Sequence, residues 1–183
     1  TEIIMNIKNE LNIYIPTYVA TIMLAGIYID TNGFRVKTNE NTHICVANLY
    51  KFEANIKELQ YLLKQNFNRY EKRQKLILKA EFYDTIAITT GGKNVYDISE
   101  LAKSSDTLLT FNGIEISFSI ARINKDNIGI SARSLGGTDV QKIMVHFNGG
   151  GHRTEAATSI PGVDVELVKN ELLNYLRGDT KWK

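Results

Sequence analysis

A chain of 183 residues, 43% of them hydrophobic, is long enough for one sizeable domain or two small ones with real cores. Its 22 basic and 20 acidic residues leave a formal charge of +2, which argues against indiscriminate coating of nucleic acid, since counterion release needs a clustered basic face. The single Cys45 excludes an internal disulfide and suits a reducing cytoplasm, and no apolar run approaches the roughly 20 residues that span a bilayer.

Residues 2–11 place Ile3, Ile4, Ile7 and Leu11 on one helix face. Pro16 suits the first turn of a second helix that carries Tyr18, Ile22, Leu24 and Ile27 and ends in the turn residues Asp30-Thr31-Asn32-Gly33. A short strand is expected at Phe34-Arg35-Val36. Residues 42–63, with Ile44, Leu49, Phe52, Ile56, Leu59 and Leu63, predict one or two further helices, and Cys45 belongs to their core. The composition shifts at Lys64. From there to Lys79 six basic residues accompany one acidic residue, which predicts an exposed basic helix linking two domains at about residue 66.

Beyond it the periods alternate. Thr85–Thr90 is expected as a buried strand stopped by Gly91-Gly92, and residues 95–107 as a helix. Ile114, Ile116, Phe118 and Ile120 alternate with Glu115, Ser117, Ser119 and Ala121, predicting a strand with one buried face. Asn124-Lys125-Asp126-Asn127 makes a hairpin turn to a partner strand with Ile128, Ile130 and Ala132 inward. Thr138 and Gln141 form a candidate capping box for a helix with Val140, Ile143, Met144 and Phe147. Residues 164–176 close the chain with a helix whose inner side is Val165, Val168, Leu172 and Leu176. Strands interleaved with helices predict an α/β architecture.

The chemistry concentrates late in the chain. Three glycines, Gly149, Gly150 and Gly151, precede His152, and bare amides beside an imidazole can receive an anion such as a phosphate. On the strand 128–134, Ser131 and Arg133 project to one face, so a guanidinium fork is available to the same anion. Taken singly, Arg133 reads as a surface arginine and the glycines as a helix cap with a loop; the cluster says more than its members. Asp30 is a good turn residue, and also a carboxylate at a helix end that can serve as one ligand of a metal site. His43 and His146 have no neighbours at zinc-like spacing. No Walker or dinucleotide glycine pattern is present, and no serine or cysteine lies near a local base.

Gly129-Ile130-Ser131-Ala132-Arg133-Ser134, followed by Gly149-Gly150-Gly151-His152 and Ala156-Ala157, resembles the DHHA1 domain of the DHH phosphoesterase superfamily. That superfamily includes exonucleases, nanoRNases and cyclic-dinucleotide phosphodiesterases. Asp106-Thr107-Leu108-Leu109-Thr110, the basic helix around Arg69–Glu81, Ala25–Thr31 and Ala157-Thr158 resemble its bacterial cyclic-di-AMP phosphodiesterase branch, the GdpP or YybT type. The resemblance implies that residues 1–63 are the last part of a DHH catalytic domain, 64–83 a linking helix, and 84–177 a DHHA1 substrate-binding domain with a mixed sheet flanked by helices.

It further implies a two-metal centre, usually manganese, that activates water for in-line attack on a phosphodiester. Asp30 matches a late aspartate ligand of that centre. Ser131, Arg133 and Gly149–His152 match its substrate contacts. The 183 residues contain no Asp-His-His, so the rest of the metal site is expected in an upstream region of a longer, cytoplasm-facing parent, which the resemblance lets be membrane-anchored. This chain alone is then expected to be inactive. The implied ligand is a cyclic or linear dinucleotide; the alternative is a nucleic-acid-binding module of an exonuclease that takes short single strands. A homodimer is a further expectation.

Overall fold

The computed structural model describes residues 14–162 and 164–178, so the helix expected over residues 2–11 lies outside the described residues. The chain divides into two units, one through Gln65 and one from Asn66 onward.

In the first unit, α1 (Thr17–Asp30), α2 (Glu40–Lys51) and α3 (Ile56–Leu62) enclose a small core of Ile15, Ala20, Leu24, Ile27, Cys45, Leu49 and Leu59. Tyr18 and Ile22 are 64% and 58% exposed. A helix apolar on every side gives the periodicity no way to choose which face is buried, and the packing with α2 and α3 chose Ala20, Leu24 and Ile27. No strand forms at Phe34–Val36. Asn32, Gly33 and Phe34 all have positive φ, and Thr31 holds the turn through its hydroxyl, which donates to Ile27 O at 2.7 Å and accepts from Phe34 N at 3.0 Å. The Phe34 ring instead sits edge-on to Tyr28. Two helices fill residues 42–63. The first begins with a reciprocal capping box between Asn39 and Thr42.

In the second unit, α4 (Phe67–Ile77) leads into β1 (Glu81–Tyr83), β2 (Ile86–Val95), α5 (Ile98–Leu108), β3 (Ile116–Arg122) and β4 (Asn127–Ser134). Then come α6 (Val140–His146), β5 (Gly150–Gly151), β6 (Glu155–Pro161) and α7 (Val165–Gly178). The helix expected over 64–83 is shorter at both ends. Asn66 caps it by accepting from Arg69 N at 3.1 Å, and past Ile77 the aromatic pair Phe82–Tyr83 joins the sheet opposite Ala87 and Ile86. β2 passes through Gly91-Gly92 with a register shift and continues to Val95, instead of stopping there.

The six strands form one mixed α/β sheet in the order β1-β2-β3-β4-β6-β5, parallel only between β2 and β3. One face carries Ile88, Ile116, Phe118, Ile120, Ile128, Ile130, Ala132 and Ala156, closed by α6 and α7 through Val140, Ile143, Met144, Val165, Val168, Leu172 and Leu176. The other face packs on α4 and α5 through Leu76, Ile77, Leu101 and Leu108. β3 is therefore buried on both sides, and Ser117 and Ser119, read as solvent-facing, are fully enclosed. The N-cap of α6 is Asp139, whose carboxylate accepts from Gln141 N and Lys142 N. Thr138, the expected cap, gives its carbonyl to Ser134 Oγ at 2.7 Å.

An ion pair pins α7 across the β1 edge, where Lys169 Nζ donates to Glu81 Oε1. That ammonium, then the Tyr83 hydroxyl, holds the Glu81 carboxyl below its ordinary range. Burial works against the Lys169 ammonium, yet Glu81 outweighs it and leaves the lysine raised. A lowered carboxyl stabilises above its unfolded value of about 4.3 and loses that contribution as the pH falls through the folded value. The raised lysine stabilises below about 10.4 and loses its share as the pH rises through the folded value. Lys169→Met, which keeps the buried stem, should therefore flatten the acid limb of a stability profile below about pH 4.3. Because Glu81 is half exposed, the change at neutral pH should stay under about 1 kcal/mol. Urea unfolding at stepped pH measures both; an unchanged acid limb refutes the assignment.

Candidate functional site

The site is built where α5 meets β3 and β4. Instead of apolar knobs, this part of the interface is a layer of hydroxyls. Ser105 Oγ lies 2.9 Å from Ser119 Oγ and 3.0 Å from the Ser131 carbonyl, and Ser117 Oγ donates to Ser105 O at 2.8 Å. All of these serines are buried, so each bond forms in a low dielectric, where a misplaced hydroxyl is costly. The layer fixes where the next residue of α5, Asp106, stands.

Arg133 projects from β4 beside it. Its Nε donates to Asp106 Oδ1 at 2.8 Å, and its Nη1 donates to Ser131 Oγ at 3.3 Å and to Ala132 O at 3.0 Å. The side chain is only 14% exposed.

The glycine segment is not a single turn of three bare amides. Asn148, at φ 55°, is the left-handed residue that ends α6. Its N–H donates to Val145 O at 3.0 Å, and the Gly149 N–H donates to Met144 O at 2.7 Å, the paired bonds of a Schellman cap. Gly149 is thus a capping residue, and its amide is taken. Gly150 and Gly151 form the edge strand β5, in register with Ala157 and Ala156. Beyond them His152 and Glu155 exchange both backbone bonds, at 2.6 and 3.2 Å. An antiparallel ladder alternates, so Gly151, one residue out, directs its N–H to the free edge.

Two of the three glycines have no room for a side chain. A Cβ on Gly149 would lie 2.5 Å from Thr158 Cβ, and one on Gly151, at φ 146°, 2.5 Å from Ala156 Cα. A Cβ on Gly150 meets nothing within 4 Å. Gly149→Ala should consequently cost about 1–3 kcal/mol, and Gly150→Ala should unfold like the parent chain. Thermal melts of the two variants separate them; equal melting temperatures contradict this picture.

The register assembles these pieces. Across the sheet, Ser117, Arg133, Glu155 and His152 form one row, and Ser119, Ser131, Ala157 and Gly150 the next row on the same face. α5 covers the first two columns. Over β6 and β5 the face opens, with half-buried Ala157 and exposed Gly150 as a flat floor. Around that floor stand Arg133, the exposed His152 and two carboxylates, Asp106 and Glu155. The arrangement puts a guanidinium and an imidazole at a small-residue surface, a chemistry suited to a phosphate, while the Gly151 amide points outward at the sheet edge. It holds no nucleophile placed beside a base. Of the residues singled out in the sequence, Ser131, Arg133, Gly150, Gly151 and His152 come together. Gly149 supports them from behind.

Asp106 and Glu155 went unrecognised as members of this face. For Asp106 a signal existed: it follows two serines, Ser104-Ser105, on the buried side of an amphipathic helix. Asp30 belongs to the first unit, exposed at the end of α1. Among the described residues no three histidine, cysteine, aspartate or glutamate side chains gather as a metal group, so these residues do not by themselves fit a two-metal centre. Among them, no helix is long and apolar enough to cross a membrane.

Comparison with known proteins places these features. Residues 83–178 match the DHHA1 domain model. The cyclic-di-AMP phosphodiesterase GdpP of Geobacillus thermodenitrificans is 40% identical over 155 residues, covering 84% of this chain and 24% of that protein. The enzyme of the same name in Bacillus subtilis is 38% identical, covering 87% and 25%. The chain thus spans about a quarter of the length of these curated relatives. In fold it is similar to an exopolyphosphatase-related protein from Bacteroides fragilis, with a TM-score of 0.73 at 17% identity over 90% of this chain and 52% of that one.

Proposed function

This chain belongs to the DHHA1 domain family, and on that premise we propose that its second unit is the substrate-binding part of a phosphodiesterase that hydrolyses cyclic-di-AMP or related nucleotides. The carrying observation is the open face on which Arg133 and the exposed His152 stand in the row beside the floor of Ala157 and Gly150. Similarity to two cyclic-di-AMP phosphodiesterases, of Geobacillus thermodenitrificans and Bacillus subtilis, supports the substrate class. A cluster with one arginine and two carboxylates is not strongly cationic, which suits a compact dinucleotide better than a polyanion.

Residues 1–63 are then the end of a DHH catalytic domain, and Asp30 one ligand of its manganese centre. The remaining ligands belong to a preceding region of the parent. The DHHA1 part binds and orients; bond breaking happens elsewhere, so added manganese should give this chain no diesterase activity.

An exonuclease-type module would present the basic helix α4 to a strand. Its charges are instead engaged locally. Arg73 pairs with Glu100, Arg69 with Asp97 and Lys75 with Glu71, and Lys72 donates to Val95 O and lies over the Tyr96 ring. Calorimetric titration with cyclic diadenylate, linear diadenylate and a long single strand decides between the readings. Binding of a diadenylate, with at most weak and steeply salt-dependent binding of the strand, is expected. Binding of the strand alone overturns the proposal.

A further inference from the structure

We infer that Asp106 is a positioning residue, which fixes the guanidinium of Arg133 for a ligand on the open face over Ala157 and Gly150. This rests on the reading of that face as a phosphate-binding site. A carboxylate beside such a site is electrostatically awkward, because it opposes the incoming anion. It needs a compensating role, and the geometry supplies one.

Arg133 is held at three points, by Asp106 on Nε and by Ser131 Oγ and Ala132 O on Nη1. The two contacts on Nη1 come from its own strand and move with it. Asp106 is the anchor from a different element, and so the contact that fixes the plane of the fork relative to β6 and β5. Its own place is set by the buried Ser105 contacts to Ser119 and Ser131 one residue earlier. Asp106 is itself 38% exposed in its side chain, so removing its charge need not disturb the core. The acid therefore acts through Arg133.

Two effects of Asp106→Asn have opposite signs. Loss of a repelling charge predicts tighter binding of an anion; loss of orientation predicts weaker binding. Positioning should win. Linear diadenylate titrated into the full 183-residue chain should bind Asp106→Asn about tenfold more weakly than the parent, with the melting temperature little changed. Asp106→Glu should recover part of the loss. The double variant Asp106→Asn with Arg133→Ala should bind no worse than Arg133→Ala alone, since a residue that works through another adds nothing once that other is gone.

Unchanged or tighter binding by Asp106→Asn overturns the inference, as does an additive loss in the double variant. Should Asp106→Asn melt early, Asp106→Glu and the cycle built on it make the same decision. If Arg133→Ala itself leaves diadenylate binding unaltered, the proposed function fails instead, and the two failures are told apart within one set of titrations.

Discussion

Arg133→Ala is expected to weaken linear diadenylate binding by about 30- to 100-fold, the size of a lost charge-assisted hydrogen bond at a half-buried site. The guanidinium is enclosed enough that water screens it poorly, and its position is set by three bonds instead of by a flexible stem. Arg133→Lys should recover little, because an ammonium cannot bond Asp106, Ser131 and a ligand at once from fixed directions. Stability should fall by only about 1 kcal/mol, since Asp106 is open enough to be hydrated when its partner is gone. Calorimetry and melting, read on one preparation, separate the two effects. An affinity equal to that of the parent chain removes Arg133 from the site.

The largest stability effect is expected far from that face. Arg73 and Glu100 join α4 to α5 at 3.2 Å, with side chains 9% and 6% exposed. Glu100→Ala takes the Glu100 carboxylate away from an enclosed guanidinium, at a cost of about 3–5 kcal/mol. A double replacement, Arg73→Met with Glu100→Leu, removes both charges together and should cost much less. Urea unfolding followed by far-ultraviolet circular dichroism measures each. If the single and double variants unfold at the same urea concentration, the pair is not the clamp between these helices.

The α/β class, the hairpin at Asn124–Asn127 and the inner faces of β3, β4 and α7 were legible because apolar spacing reports burial directly. Polar residues carry no such report. Ser117 and Ser119 looked like the wet side of a strand, yet they face the serines of α5; a hydroxyl satisfied by another hydroxyl has the same sequence pattern as one satisfied by water. Thr138 and Asp139 are both good caps, and only the backbone entering α6 chose between them. The Gly-Gly-Gly-His run lies at one edge of the sheet, and its residues take different parts that the run itself does not distinguish. The left-handed residue there is Asn148, and the helix-cap reading of the glycines holds for Gly149, whose amide bonds Met144 O.

The hydroxyl layer beneath Arg133 has a consequence for plasticity. Two surfaces that meet through apolar side chains can slide by fractions of an ångström with little penalty, because dispersion is indifferent to direction. Serines bonded serine to serine have one seat, since a small slip breaks several directional bonds in a medium that offers no replacement. Helix α5 is therefore keyed to the sheet instead of merely adhering to it. On the proposed reading, a ligand at this face would meet groups already ordered by folding, and recognition would be by fit and not by adjustment.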